Sequence, residues 1–487
     1  MNSREKFSSR LGFLLISAGC AVGLGNVWRF PYITGQYGGA AFVIIYLIFL
    51  VIMGLPIMTM EFSVGRASQR SAVKSFEVLE PKGTKWHFIK FIPLIGNYIL
   101  MMFYTTVGGW MIAYFFKMGK GELAGLDAEG VSNAFNAFLA DPLQQILWML
   151  IVTLLGFFIC SRGLKNGVEK VSKYMMGALF LIMLVLVVHS FFLSGAKEGL
   201  SFYLIPDFER ALENYSLGTI IFEALGQAFF TLSLGIGALA IFGSYIDKDH
   251  SLVSESLNVV ILDTIVAFVS GLIIFPACFT YHIDAGSGPG LIFVTLPTTF
   301  NAMAGGQIWG ALFFMFLAFA ALTTVIAVFE NIVAFAMDYG WSRRKSVIVN
   351  IIAVIVLSLP CALGFNLLSD IQPLGIGTTI QDLEDFIVSN NLLPMGSLMY
   401  LLFCTNRYGW GWKGYYQEVN SGKGLKLPSI TRFYISYILP LIVLVILFEG
   451  YMAKFDLPWS LVVPCCFLIY ALYILLQAYL TKRKAKA

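Results

Sequence analysis

Two glycine pairs interrupt the middles of long apolar stretches: Gly23 and Gly25 within Ala21-Val22-Gly23-Leu24-Gly25-Asn26, and Gly235 and Gly237 within Ser233-Leu234-Gly235-Ile236-Gly237. Glycine inside a helix costs up to about 1 kcal/mol relative to alanine, so each pair marks a place where a helix is expected to open. An opened helix frees backbone groups. Its carbonyls, joined by amide and hydroxyl oxygens, can coordinate a cation, and the N–H groups heading the next half-helix attract an anion. Polar side chains suited to this stand beside both pairs, Asn26 at the first and Thr231 and Ser233 at the second. The competing explanation is close helix packing through small residues. Enzyme chemistry has no comparable signal: His87, His189, His250 and His282 show no ligand spacing, and no paired carboxylates or nucleophile motif appear in the apolar stretches.

The elements that hold these segments follow from composition. Of 487 residues, 58% are apolar and 12% charged, whereas a soluble protein is about 25% charged. Mean hydropathy is +0.79, and the chain reads as an all-α integral membrane protein. Nucleic-acid binders, disordered chains and secreted disulfide scaffolds are excluded by the same numbers. The seven cysteines (Cys20, Cys160, Cys278, Cys361, Cys404, Cys465, Cys466) lie in or beside apolar segments and read as small core residues.

Twelve segments are long enough to span a bilayer, which takes about 20 apolar residues: 12–35, 40–64, 91–116, 143–160, 174–193, 217–245, 257–280, 306–337, 347–368, 384–404, 430–450 and 458–480. The first lacks a small-residue cleavage site and is not expected to be a signal peptide. With the N-terminus in the cytoplasm, 26 of the 32 Lys and Arg residues fall on the cytoplasmic side, 5 on the other, and Arg29 within the first span. The positive-inside rule then puts both termini in the cytoplasm of a cell (inner, plasma) membrane. The broken spans, first and sixth, are five apart. This predicts an inverted repeat of five plus five helices, 12–193 and 217–404, between a tail over 1–11 and helices 11 and 12 over 430–480, with a basic tail at 481–487. Paired breaks of this kind mark a transporter whose site lies at the membrane midplane.

The motifs are recognisable at this point. Arg10-Leu11-Gly12-Phe13, the run from Gly19 through Asn26-Val27-Trp28-Arg29-Phe30-Pro31-Tyr32, Gly38-Gly39-Ala40-Ala41-Phe42, Gly226-Gln227-Ala228-Phe229-Phe230-Thr231-Leu232-Ser233 and Gly288-Pro289-Gly290-Leu291-Ile292-Phe293 closely resemble the neurotransmitter:sodium symporter family, in particular its bacterial amino-acid members. The resemblance runs from about residue 4 to beyond 400. It implies a sodium-coupled symporter importing an α-amino acid by alternating access, with the lipid bilayer as its surroundings. It also implies two sodium sites. One falls on the Ala21 carbonyl, Asn26, Thr231 and Asp263, with the substrate carboxylate as a further ligand; the other on the Gly19, Val22 and Ala320 carbonyls with the Thr323 and Thr324 hydroxyls. Hydroxyls bonded back to their own helix are the plain alternative for both threonines.

Asp263 departs from the family's usual asparagine. A carboxylate at a helix centre costs about 2.5–3.5 kcal/mol on insertion scales, so it needs a partner, and adjacent sodium is the obvious one. A protonated, hydrogen-bonded Asp263 is the other possibility. Animal members use a chloride nearby, whose seventh-helix position is Ala267 here, without a hydroxyl. No chloride is therefore expected. For the substrate, Gly23 leaves room for a carboxylate against the N–H groups of Leu24 and Gly25 and the Tyr104 hydroxyl, with the ammonium met by carbonyls near Phe230 and Ser233. The side-chain pocket is expected to comprise Leu100, Tyr104, Phe230, Ile236, Thr324 and Val328, and the modest size of Ile236 and Val328 favours a hydrophobic or aromatic amino acid.

For closure, Arg29 is expected to pair with Asp385 on the outside and Arg4 with Asp338 on the cytoplasmic side, near Tyr245 and Glu330. Arg4 also counts as a positive-inside residue and Asp338 could cap a helix. Glu61 matches the family without an assigned role. The rival reading is an amino-acid-binding receptor or channel without coupled transport. A channel usually carries rings of like groups around an axis, and these polar groups cluster asymmetrically at two breaks.

Overall fold

The computed structural model describes residues 5–281, 290–301 and 303–455. Among the described residues the chain is helical, with one isolated bridge, His250 to Lys423, and no strand. Nine helices there are long and apolar enough to cross a membrane: Ala40–Ser68, Trp86–Lys120, Pro142–Ser161, Leu164–Ser190, Leu252–Thr280, Gly306–Asp338, Arg343–Leu363, Ile380–Thr405 and Thr431–Met452. They take the places of the predicted second to fifth and seventh to eleventh spans, confirming a multi-pass helical fold. The fifth begins at Leu164 rather than near residue 174, because Gly163, at φ 86°, turns the chain directly into helix. The predicted twelfth span, the basic tail, Arg4 and the Gly288-Pro289 part of the motif lie outside the described residues.

The remaining two spans are broken. The first consists of Arg10–Ala21 and Gly25–Gln36, bent by 58°. The helix stops where Val22 turns to ψ 98°. The sixth consists of Leu217–Thr231 and Ala238–Gly243. Its intervening stretch holds Ser233, Gly235 and Gly237 at φ 49°, 88° and 81°, a left-handed region that costs L-residues about 1–2 kcal/mol and glycine little. Gly235 is required for space as well, because a Cβ there would lie 2.2 Å from the Leu393 carbonyl oxygen of the tenth span.

Burial orders the bundle. The most apolar window of the eighth span is 83% buried and that of the fifth 28%, so the eighth is the central post and the fifth is peripheral. Leu181 and Leu184 on the fifth are more than 60% exposed, a face that suits hydrocarbon better than water. The third and eighth spans pack along each other beside the two breaks.

Candidate functional site

The first break is held by side chains from three other spans. Gly23 N–H donates to Asn26 Oδ1 at 3.0 Å and Leu24 N–H to Tyr104 Oη at 3.1 Å. Gln227 Nε2 donates to the Gly25 carbonyl at 3.0 Å, and Ser270 Oγ to the Asn26 carbonyl at 2.8 Å. Backbone groups opened inside a membrane protein need such partners. At the second break Gly237 N–H donates to Glu61 Oε1 at 2.5 Å, and Asn97 Nδ2 donates to the Ile236 carbonyl at 2.8 Å. Asn331 Nδ2 in turn donates to Asn97 Oδ1 at 2.9 Å, tying that break to the eighth span.

Between the breaks lies a narrow cavity of about 30 Å³, lined by Ala21, Gly23, Gly25, Leu100, Tyr104, Phe230, Thr231, Ser233, Thr324, Val388 and Leu393. The structure thus brings most of the expected substrate residues to one place. Leu24 meets Tyr104 through its amide but is not part of the lining, and neither Ile236 nor Val328 reaches the wall. Ile236 is 2% exposed and Val328 1%. Ile236 packs toward Gly96, one helical turn before Leu100, where a Cβ would meet it at 3.5 Å. Val388 and Leu393 take part in the lining instead.

Beside the cavity, Asn26 Nδ2 donates to Asp263 Oδ1 at 2.8 Å and Thr231 Oγ1 to Asp263 Oδ2 at 3.4 Å. Asp263 and Asn26 are both 0% exposed. Among the described residues the side-chain partners of Asp263 are these neutral groups, and no basic side chain pairs with it. Ala21 and Thr231, two of the expected ligands, also line the cavity. In the second expected set, Thr324 Oγ1 lies 3.3 Å from the Gly19 and Val22 carbonyl oxygens and 3.4 Å from that of Ala320. One hydroxyl proton serves one carbonyl at a time, so the Gly19 and Val22 carbonyl oxygens share a single donor, and oxygens gathered in this way suit a hard cation. Thr323 Oγ1 is instead bonded to its own helix, at 2.9 Å from the Ala320 and 3.1 Å from the Phe319 carbonyl. A Cβ on Gly19 would meet Thr323 Cβ at 3.2 Å, so Thr323 still borders this set.

The outer closure differs from the expected pair. The Arg29 guanidinium lies over the Phe230 ring, 4.6 Å from its centroid, and Asp385 accepts from Ser389 Oγ at 2.7 Å. No ion pair joins Arg29 to Asp385, although both are described. At the other end Asp338 accepts from Ser71 N–H and Oγ at 2.7 and 2.6 Å and pairs with Arg70 at 3.6 Å. Its expected partner, Arg4, lies outside the described residues. Tyr245 Oη donates to Glu330 at 3.0 Å, and Arg343 pairs with Glu330 at 2.7 Å. Glu5 joins this group, accepting from Leu164 N–H at 2.9 Å and lying 3.7 Å from Arg343.

Reading the sequence missed Gln227, Ser270, Asn97, Val388 and Leu393, and left Glu61 without a task. Gln227 lies inside a recognisable motif, and Ser270 is two helical turns beyond Asp263 on the same face, so both had a visible signal. Val388 and Leu393 had none, being ordinary apolar residues on either side of Ser389, Asn390 and Asn391.

Comparison with known proteins agrees with this geometry. The model of the sodium:neurotransmitter symporter family matches residues 4–138 and 139–471. An uncharacterised sodium-dependent transporter of Bacillus subtilis (strain 168) is 34% identical over 399 residues, covering 82% of this chain and 87% of the relative. One of Haemophilus influenzae is 31% identical over 460 residues, covering 91% and 97%. The crystal structure of MhsT in complex with L-phenylalanine superimposes with a TM-score of 0.80 at 36% identity, covering 92% of this chain and all of that one. Two broken spans enclosing a cavity, the matching motifs and these relatives lead to one conclusion: the chain belongs to the sodium:neurotransmitter symporter family, as a transporter and not an enzyme.

Proposed function

We propose that this sodium-dependent transporter imports a hydrophobic or aromatic α-amino acid, without chloride, across the plasma membrane with both termini in the cytoplasm. The observation that carries the reading is the cavity between the two breaks, polar at the backbone end and apolar where Leu100 and Phe230 meet it. A substrate carboxylate lies against the head of the outer first half-helix, where N–H groups favour negative charge. Tyr104 accepts from Leu24 N–H, which leaves its own proton to donate to that carboxylate. The ammonium is met by carbonyls of the breaks. MhsT, which holds L-phenylalanine, lends support to a substrate of this class.

The coupling follows from shared residues. Ala21 and Thr231 line the cavity and belong with Asn26 and Asp263 to the first sodium set, so a sodium ion there and the substrate carboxylate stabilise each other, and each raises the other's affinity by the same factor. Asp263 supplies a fixed negative charge in a cluster that also holds Ala267, which has no hydroxyl for an anion. Thr324 serves both sides, since it lines the cavity and gathers the Gly19, Val22 and Ala320 carbonyls of the second set. Arg29 above Phe230 closes the outer end, and the cluster of Glu5, Glu330, Arg343 and Tyr245 the inner one.

Sodium-dependent binding of an amino-acid panel tests the substrate class. Leucine, phenylalanine or tryptophan is expected to displace glycine and alanine; a ranking headed by glycine or alanine would overturn the reading. The second sodium set has its own expected outcome. Thr324→Val removes a neutral hydrogen-bonding group worth about 0.5–1.5 kcal/mol, a several-fold loss of sodium affinity. Thr323→Val, whose hydroxyl is taken up by its own helix, is expected to shift it less. Sodium titrations of substrate binding in the two variants compare them directly.

A further inference from the structure

The tenth span is not a regular helix. Residues Val388–Leu392 form a π turn, in which Leu393 N–H bonds to the Val388 carbonyl. Its cause is in the sequence: Pro394 has no N–H to give the Asn390 carbonyl and its ring would clash with it, so the ladder is interrupted one turn earlier. The turn changes which side chains share a face. In a regular α-helix two residues five apart point about 140° away from each other, whereas the wider turn closed by an i to i+5 bond brings them toward the same side. Val388 and Leu393 are such a pair, and both line the cavity. They are 1% and 4% exposed.

The span is also held in place. A Cβ on Gly396 would lie 2.1 Å from the Gly235 carbonyl oxygen, and one on Gly235 2.2 Å from that of Leu393. The tenth span therefore packs backbone to backbone on the second break, which fixes how closely the two approach. The apolar end of the cavity then consists of Leu100, Phe230, Val388 and Leu393. Phe230 carries Arg29 above it, whereas Val388 is placed by the π turn.

We infer that Val388, turned inward with Leu393 by the π turn, is the residue that limits the size of the transported side chain. This inference rests on the reading of the cavity as the site of an α-amino acid. Ile236 and Val328, the positions to which the sequence assigned that role, stand behind the wall. One methylene in an apolar pocket discriminates by about 10–200-fold, so removing two methyls at Val388 is expected to be read easily.

The test is displacement of a labelled amino acid from the full-length protein in sodium, with valine, leucine, phenylalanine and tryptophan as competitors. Val388→Ala is expected to raise the affinity ratio of tryptophan to valine about tenfold or more. Val388→Phe is expected to reverse the order toward small side chains. Leu393→Ala is expected to shift the ratio in the same direction as Val388→Ala, which keeps the test open if the phenylalanine variant does not fold. Ile236→Val and Val328→Ala are expected to move the ratio less than Val388→Ala does. An unchanged ratio in both Val388→Ala and Leu393→Ala, with wild-type binding intact, would overturn the inference alone. Absence of sodium-dependent amino-acid binding in the wild type would overturn the reading beneath it as well.

Discussion

Gly23→Ala is expected to lower sodium-dependent substrate affinity more than 100-fold while leaving the protein folded. A Cβ at Gly23 would lie 2.6 Å from Tyr104 Oη and 2.9 Å from Thr324 Oγ1. Neither neighbour can give way cheaply. Tyr104 is a rigid ring, 7% exposed, and displacing its oxygen breaks the bond from Leu24 N–H and removes the donor proposed for the carboxylate. Turning Thr324 away from Gly23 separates it from the Gly19, Val22 and Ala320 carbonyls. Two buried hydrogen-bonding arrangements fail together, at about 1–3 kcal/mol each, and the methyl takes space meant for the carboxylate. Equilibrium binding of labelled substrate, with thermal unfolding in detergent to verify the fold, checks this. Affinity within threefold of wild type would mean that the carboxylate does not bind at the first break.

Asp263→Asn is the second large effect. The substitution keeps the shape and the acceptor for Asn26, with the Thr231 hydroxyl turned from donor to acceptor, but removes the carboxylate from a cluster whose side chains are otherwise neutral. An interaction with a charged group is worth about 1.5–3 kcal/mol, so sodium affinity is expected to fall roughly 10–100-fold. Asp263→Ala, which leaves Asn26 Nδ2 with only the longer bond to the backbone carbonyl at 263, is expected to lose more. Sodium titrations of substrate binding measure both. Wild-type sodium affinity in Asp263→Asn would show that the carboxylate is protonated at this site and that another group balances the ion.

Much of this arrangement is legible in the sequence, for physical reasons that differ by residue. Gly23, Gly25, Gly235 and Gly237 show where the spans break, because paired glycines inside apolar stretches have a conformational cost and left-handed backbone has few other tenants. Asp263 is legible because a carboxylate amid apolar neighbours demands a partner. The π turn at Val388–Leu392 is not, since one extra residue within a helix has no residue type of its own, although Pro394 hints at it. Val388 and Leu393 stay hidden for the same reason. Arg29 illustrates a different limit. Its charge and position suggest a gate, but whether the guanidinium meets Asp385 or rests on Phe230 depends on rotamers that no spacing encodes. Glu61 is similar: its task, accepting from Gly237 N–H, exists only once the second break has folded against the second span.

The central claim is that cavity and cation sites act together to move an amino acid uphill. Its most direct test uses purified protein in proteoliposomes with an inward sodium gradient, gluconate replacing chloride throughout, and the tightest-binding amino acid of the panel as labelled substrate. The expected result is accumulation above the outside concentration that collapses when the sodium gradient is dissipated. Equilibration to the same level with or without the gradient, or binding without flux, would contradict the account.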